Sequence, residues 1–483
     1  MELTNGKHER PRRAHVLMVA AGGQGHYFPF LQMLYQLSTP RYVDRVTVTF
    51  VNSQESLVGF AARKENGEFG SLELRFQALV PAAPCKPSGR PGPEDFANRV
   101  EKEFEPLKQK YLSEKTNADG PTCIIGDMFF SWLLYLADEL NIPWIPIYPA
   151  SSWYTYSCLV DANPIWRSKD PDVRKQTAPG LNFCRVFDYP EDIPYFAEFF
   201  AKKRERLEKA STIVINVAEE WDAPTGCLAL TRDLLEKKAI AENRPVPKVV
   251  AVGPMVNIEG MTYTPPCKMA EPQRAQCFSW LDQQPPKSVL YVAFGTITNL
   301  NPEDMVELAH GLEDSGVSFL WVIKVPANET LESVLPPGFQ ERIKGRGLLD
   351  RSFVPQSKIL CHPSIAGFMS HCGWNSSMEG ICAGVPLLTY PLGLDQIVNA
   401  RFVVNVWKAG IGLKKEDEEY CTNKVTREEV TEAINTLMIG NVAEELRSNV
   451  QMLRSLAKAA LAEGGSSHKA LHSFLGEITS PAQ

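Results

Sequence analysis

Eleven cysteines is an odd number, and no two of them form a C-x-x-C pair. A disulfide framework and a thiolate zinc site are therefore disfavoured, and reduced thiols in a cytoplasmic protein are expected. Long apolar runs are missing as well. No stretch approaches the ~18 to 20 uninterrupted apolar residues of a membrane helix. Basic Lys7 to Arg13 followed by apolar Val16 to Ala21 imitates a signal peptide, but an apolar region of six residues is too short for one. Positive charge is not in excess either. With 50 Lys and Arg against 57 Asp and Glu, the net charge of −7 argues against a nucleic-acid partner. The N-terminal glycine turn is spaced G-G-x-G, not G-x-G-x-x-G, and the next apolar run ends in Asn52-Ser53 without an acid to grip an adenosine ribose. An NAD-dependent oxidoreductase is disfavoured on both counts. A strand-end Asp-x-Asp is absent too. Asp170-Pro171-Asp172 lies in a Lys/Arg-rich loop with proline between its carboxylates and reads as a turn, so no metal is expected.

What is present is an ordinary globular composition, 44% hydrophobic and 22% charged, in a chain of 483 residues. That length exceeds what one core usually supports, so two domains are expected. Strand-like runs at 15–21, 46–51, 123–128, 144–150, 213–218 and 249–254 alternate with helical spacing such as Phe28, Leu31, Leu34 and Tyr35. Trp153, Tyr154, Tyr156 and a Pro-rich aromatic region through Tyr195 and Phe196 read as loops facing a ligand. Residues 255–275 have no periodicity and several prolines, and they read as a linker. A second alternating unit starts at 288–296, with a helix near Pro302 and a strand at 318–324. Strands alternating with helices in both halves imply two parallel sheets facing across a cleft. The expected organisation is 1–254, the linker, 276–455, and a tail 456–483 crossing back to the first domain. No pattern calls for more than a monomer.

Residues 353 to 396, FVPQSKILCHPSIAGFMSHCGWNSSMEGICAGVPLLTYPLGLDQ, place polar side chains where strands end. The apolar run 365–372 breaks at Gly373, and Ser376 and Glu379 then have the S-x-x-E spacing of a helix start. Freed N–H groups and the helix dipole make such a turn an anion site, and His371, Asn375 and Ser376 surround it. Asp395 and Gln396 follow the next strand's carboxyl end, where open α/β sheets bind ligands. Alone, Ser376 with Glu379 reads as a capping box, Trp374 as core and His371 as a strand-end histidine.

Taken together, the 44 residues closely resemble the signature box of plant secondary-product UDP-glycosyltransferases. The resemblance implies the GT-B fold, two Rossmann-like domains facing across a cleft, with the donor held by the second. It implies that Phe353 stacks on uracil, where the family usually has Trp, and that Val354 meets the base edge. Gln356 would lie near the ribose and Glu379 would accept from its hydroxyls. His371, Asn375, Ser376 and Thr296 would hold the diphosphate, and Trp374, Asp395 and Gln396 the sugar hydroxyls. Gln396 resembles glucose-using members, making UDP-glucose the expected donor and co-substrate, with no other cofactor. Ser151 and Ser152 come close to a family position near the donor sugar. Membrane-anchored relatives carry a C-terminal span, whereas this chain ends in a polar segment.

A transfer of this kind needs a base for the acceptor hydroxyl. An imidazole, ordinarily titrating near ~6.5, can accept a proton without being permanently charged. The family pairs the histidine of GQGH with the aspartate of GDM, here His26 and Asp127, the carboxylate orienting the ring. Direct attack inverts the anomeric carbon. The acceptor is expected to be a small lipophilic alcohol, phenolic or flavonoid-type first. A silent nucleotide-sugar or small-phenol binder on the same fold is the alternative, disfavoured by the presence of His26 and Asp127.

Overall fold

The computed structural model describes residues 13–22, 24–79, 93–114, 119–160, 168, 170–178, 180–185, 204–256, 258, 275–295, 300–325, 329–351, 355–393, 395–413 and 424–480. The first lobe is built from β1 (Ala14–Val19), β2 (Val46–Asn52), β3 (Glu73–Ala78), β4 (Cys123–Asp127) and β5 (Trp144–Tyr148). After the small antiparallel hairpin β6 (Thr177–Ala178) and β7 (Leu181–Arg185) come β8 (Thr212–Ile215) and β9 (Lys248–Ala251). Their order is β3-β2-β1-β4-β5-β8-β9, every pairing parallel. The second lobe orders β12 (Gly347–Asp350), β11 (Ser318–Val322), β10 (Val289–Ala293), β13 (Ile365–Ser370), β14 (Leu387–Thr389) and β15 (Gly410–Gly412), again all parallel. Central strands such as AHVLMV and VLYVA are buried along their whole length. Helices cover both faces of a parallel sheet, which is why these strands read as unbroken apolar runs.

Chain order reverses between β1 and β4 in the first sheet and between β10 and β13 in the second. Diverging connections leave a crevice at such a switch point, beyond the carboxyl ends of the strands. Register sharpens this. Val19 pairs with Gly126 and Ala293 with Ser370, so the loops leaving β1 and β4, and those leaving β10 and β13, emerge side by side.

The lobes share a core. One contiguous apolar cluster runs from Leu17 and Ile124 of the first sheet to Val289 and Phe368 of the second. Indole N–H groups stitch its polar edges. Trp374 donates to the Asn216 carbonyl (2.8 Å), Trp407 to that of Trp221 (3.2 Å), Trp221 to that of Leu453 (3.0 Å), and Trp153 to Asn399 Oδ1 (2.9 Å). Each bond links the two halves of the chain. Trp153 thus corrects the reading of 153–156 as ligand-facing loop. The segment is a helix, Ser152–Val160, and alternation of its buried face drives Trp153 to 2% exposure. Tyr195 and Phe196 lie outside the described residues.

The expected boundary at 455/456 falls inside the continuous helix Gly440–Leu461, whose apolar positions Leu446, Val450, Leu453 and Ala457 keep one face buried past that point. The last helix, Ser466–Ile478, then inserts Leu471, Phe474 and Leu475 into the first lobe's core. Tyr42 OH and His472 Nδ1 lie 2.8 Å apart, and Lys248 pairs with Glu477 at 2.7 Å. In the expected linker, Met255, Val256 and Ile258 are buried and Ala275 opens a helix; the rest lies outside the described residues.

Leu471 is fully buried against the first lobe although it comes from the far end of the sequence. Leu471→Ala should therefore cost about 2–5 kcal/mol, as other core truncations do, read as a lowered urea midpoint. A loss under about 1 kcal/mol would mean that the last helix rests on the lobe without contributing to its core.

Candidate active site

His26 lies in the first turn of the helix Gln24–Leu37 that follows β1, and Asp127 is the last residue of β4. Adjacent parallel strands ending together bring them into contact, with His26 Nδ1 2.8 Å from Asp127 Oδ2. Asp127 is fully buried, and its other oxygen accepts the Phe129 N–H at 2.9 Å. A carboxylate so fixed acts as acceptor for Nδ1–H, which makes Nε2 the basic nitrogen. The ring keeps 23% of its surface exposed and packs 4.8 Å from the Phe129 ring.

In the second lobe, β13 ends at Ser370 and the helix Trp374–Ala383 begins after Gly373. Gly373 is the N-cap and no side chain caps this end. The spacing of Ser376 and Glu379 therefore does not mark a capping box; both lie within the helix, and Gln356 binds them instead. Its Nε2 reaches Ser376 Oγ at 3.0 Å and Glu379 Oε2 at 2.6 Å, while its Oε1 faces the Tyr291 hydroxyl at 3.4 Å. The first intrahelical bond here is Ser377 N–H to the Gly373 carbonyl. The N–H groups of Trp374, Asn375 and Ser376 thus lack an intrahelical acceptor, the arrangement that receives an anion.

Of the expected diphosphate ligands, Thr296 lies outside the described residues, as do Phe353 and Val354 of the base pocket. His371 is held beside Gly295. A Cβ built on Gly295 would stand 2.6 Å from His371 Nε2, and its φ of +70° also demands glycine. Burial, reinforced by the Lys324 charge, pushes the His371 pKa down to about 4. A neutral ring offers one N–H without carrying a buried charge. Asn375 Nδ2 reaches across to the Gly25 carbonyl at 3.0 Å, next to His26.

Trp374 departs from expectation. Its ring is 3% exposed and its N–H is committed to Asn216, so only its backbone N–H can face a ligand. A large indole at the first helical position packs with Phe402 and Trp407 more favourably than it would in a wet cleft. Asp395 stands at the N-cap position of the helix Gln396–Arg401 without capping it through its side chain, and its Oδ2 accepts from Asn399 Nδ2 at 2.8 Å. Burial raises its pKa while Asn399 and, across the cleft, His26 lower it. Gln396 Oε1 accepts the Leu392 N–H at 2.9 Å, which leaves its Nε2 as the group to donate to a ligand. Ser152 is bound to Asp222, whereas the Ser151 hydroxyl is buried without a partner among the described residues. Asp170 accepts the Asp172 N–H at 2.9 Å to start a helical turn. Among the described residues no three His, Cys, Asp or Glu converge as metal ligands, and no helix is long and apolar enough to cross a membrane.

Two parallel-sheet lobes that turn their switch points toward each other, one carrying His-Asp and the other an open helix N-terminus, define a GT-B glycosyltransferase architecture. A family model, "UDP-glucoronosyl and UDP-glucosyl transferase", matches residues 249–460. A putative UDP-glucose glucosyltransferase of Fragaria ananassa is 31% identical, the alignment covering 96% of this chain and 97% of that protein. Scopoletin glucosyltransferase of Nicotiana tabacum is 30% identical over 96% and 98%. Phytolacca americana UGT2, solved with UDP-2fluoro-glucose and pterostilbene, superimposes with a TM-score of 0.75 at 25% identity, covering 97% of this chain and 100% of that one. The chain belongs to the plant UDP-glycosyltransferase family and is a glycosyltransferase that uses a UDP-sugar.

His371 also sets an acid limit on stability. The unfolded chain binds this proton near pH 6.5 and the fold resists it down to about 4, so the stabilisation is present above 6.5 and is lost as pH falls toward 4. Urea unfolding at pH 7 and pH 5 should differ by about 2 kcal/mol from this group. In His371→Asn that part of the difference should vanish; an unchanged slope would show that the ring binds its proton no less readily in the fold than in the unfolded chain.

Proposed function

We propose that the protein transfers glucose from UDP-glucose to a hydroxyl of a small lipophilic acceptor, phenolic first, with inversion to a β-glycoside. The observation that carries the mechanism is the His26–Asp127 contact opening onto the helix end at Trp374, with Asn375 touching the turn that bears His26. In this reading His26 Nε2 takes the acceptor's proton as its oxygen bonds to the anomeric carbon. The bond from that carbon to the diphosphate oxygen breaks at the same time, and the electron pair leaves with UDP. Asp127 holds the ring and stabilises the imidazolium. The N–H groups of Trp374, Asn375 and Ser376, with His371, Asn375 and Ser376 side chains and Thr296, receive the charge that develops on the diphosphate. No metal is assigned to that step.

Phe353 and Val354 are assigned to uracil, Gln356 and Glu379 to the ribose, and Asp395 and Gln396 to the sugar. Gln396 presents a donor, since its carbonyl oxygen is already engaged. Donor and acceptor class are favoured by the relatives: UDP-glucose and scopoletin appear in the names of two, and a third is complexed with UDP-2fluoro-glucose and pterostilbene. Cys123, Cys227, Cys277, Cys372 and Cys382 are buried free thiols, which fits a reducing, cytoplasmic setting, and the protein is assigned as a monomer.

His26→Ala should lower kcat by about 10²–10⁴-fold, the usual contribution of a general base, while UDP affinity by calorimetry stays within about twofold. Undiminished UDP release with a phenolic acceptor panel would remove His26 from the mechanism. Glu379 provides a second check. Burial raises its pKa to about 7, against the hydrogen bond from Gln356, and hydroxyl donors favour its ionised form. UDP-glucose, which has no phosphate group titrating near neutrality, should bind about tenfold more weakly at pH 6 than at pH 8. Glu379→Gln should bind it equally at both; a pH-independent wild type would place the ribose elsewhere.

A further inference from the structure

Asn399 has no exposed surface and sits where three functional pieces meet. Its Oδ1 accepts from Trp153 of the first lobe at 2.9 Å, and its Nδ2 donates to the Cys372 carbonyl at 3.0 Å and to Asp395 Oδ2 at 2.8 Å. The indole N–H can only donate. It therefore fixes which end of the Asn399 amide is oxygen and aims both remaining N–H bonds at the donor side.

Both targets need holding. Cys372 adopts φ +61°, a sparsely populated region for any residue but glycine, between His371 and Gly373. Its N–H is gripped by Ser370 Oγ at 3.1 Å and its carbonyl by Asn399, so the bend that opens the helix end is clamped from both sides. Asp395 is buried without a cation bonded to it among the described residues, and the Asn399 N–H is the side-chain donor on its carboxylate.

We propose that Asn399 is a positioning residue for the transfer: it holds the sugar-facing carboxylate of Asp395 and the phosphate-facing bend at Cys372 in one register, with its own orientation set by Trp153 from the opposite lobe. This rests on the reading of the site as a UDP-sugar pocket. Packing alone would require only a residue of the right shape. Positioning requires two N–H donors at this spot.

Asn399→Asp separates the two, because it keeps the shape and replaces both N–H donors with an acceptor. Donor kcat/KM should be compared between wild type and variant from pH 6 to 8. The variant should fall about 10- to 100-fold at pH 8, the range for losing a group that orients a ligand-binding carboxylate. Its ratio to wild type should narrow toward pH 6, as the two contacting carboxylates come to share a proton and re-form a bond. The other titratable groups facing Asp395 are His26 and the Cys372 thiol. His26 is common to both proteins, and burial keeps the thiol protonated. Trp153→Phe, which removes the indole N–H together with part of the buried ring, should raise the donor KM about threefold or more, an estimate from losing one buried hydrogen bond, with no pH trend. Kinetics of Asn399→Asp within about twofold of wild type, or a ratio flat with pH, would overturn the proposal. Should that variant not fold, an unchanged donor KM in Trp153→Phe would do so. If the wild type releases UDP from no UDP-sugar, the underlying reading falls and this one with it; an active wild type with a normal Asn399→Asp removes only this one.

Discussion

The indole N–H bonds across the lobe boundary are the constraint on which the remainder depends. A tryptophan buried at an interface brings a large apolar area and a single donor that must find an acceptor. Here Trp374, Trp407 and Trp221 give theirs to backbone carbonyls, and Trp153 to an amide, with ring centroids of Trp221–Trp407 and Trp374–Trp407 at 5.1 and 5.7 Å. Each bond is worth roughly 1 kcal/mol net, and about 1–3 if a buried partner is left unpaired. Because backbone carbonyls cannot swing away, such bonds also fix distance and angle between the sheets. The cleft geometry is consequently a property of the core and not of its loops.

From that fixed frame the site follows by topology. The crevice at β1/β4 gathers His26 and Asp127; the one at β10/β13 gathers Gly295, His371 and the helix end after Gly373. A protein that must bring an acceptor's hydroxyl and a charged donor together benefits from placing them at two strand-end crevices, where backbone N–H groups are unpaired without loss of core.

Much of this was legible in sequence because parallel strands are buried on both faces and end abruptly in polar residues. CIIGDM and IAGFMSHC announce both a strand and the atom that leaves it. The 44-residue box was legible through resemblance, since its density of polar positions has no other ready explanation. What was not legible was the direction in which an aromatic or hydroxyl side chain turns. Trp374 lies in a box of ligand-facing residues yet points into the lobe boundary, and Trp153 in an aromatic, proline-flanked stretch does the same. Ser376 and Glu379 have capping-box spacing, but the helix begins two residues earlier, at Trp374, after Gly373, where a Cβ would stand 2.6 Å from His371 Nε2. Asn399, and the partners of Gln356, were harder still. An amide's partners are long-range, and the one local signal, the four-residue spacing from Asp395 to Asn399, is shared by any helical pair.

One local irregularity joins the two halves of the site. Pro29 sits inside the helix Gln24–Leu37, where it supplies no N–H to the carbonyl four residues before it, that of Gly25. A carbonyl released in this way needs another donor. Asn375 Nδ2 provides one from the second lobe at 3.0 Å, and a Cβ on Gly25 would stand 2.7 Å from that same nitrogen. Proline and glycine here act as a pair: one frees the acceptor, the other lets the donor approach. Since His26 follows Gly25 directly and Asn375 is the second residue of the helix that receives the anion, the bond ties the turn bearing the base to the end that holds the leaving group. A helix defect that would cost stability in isolation is thus offset by a contact that only the assembled two-lobe protein can make.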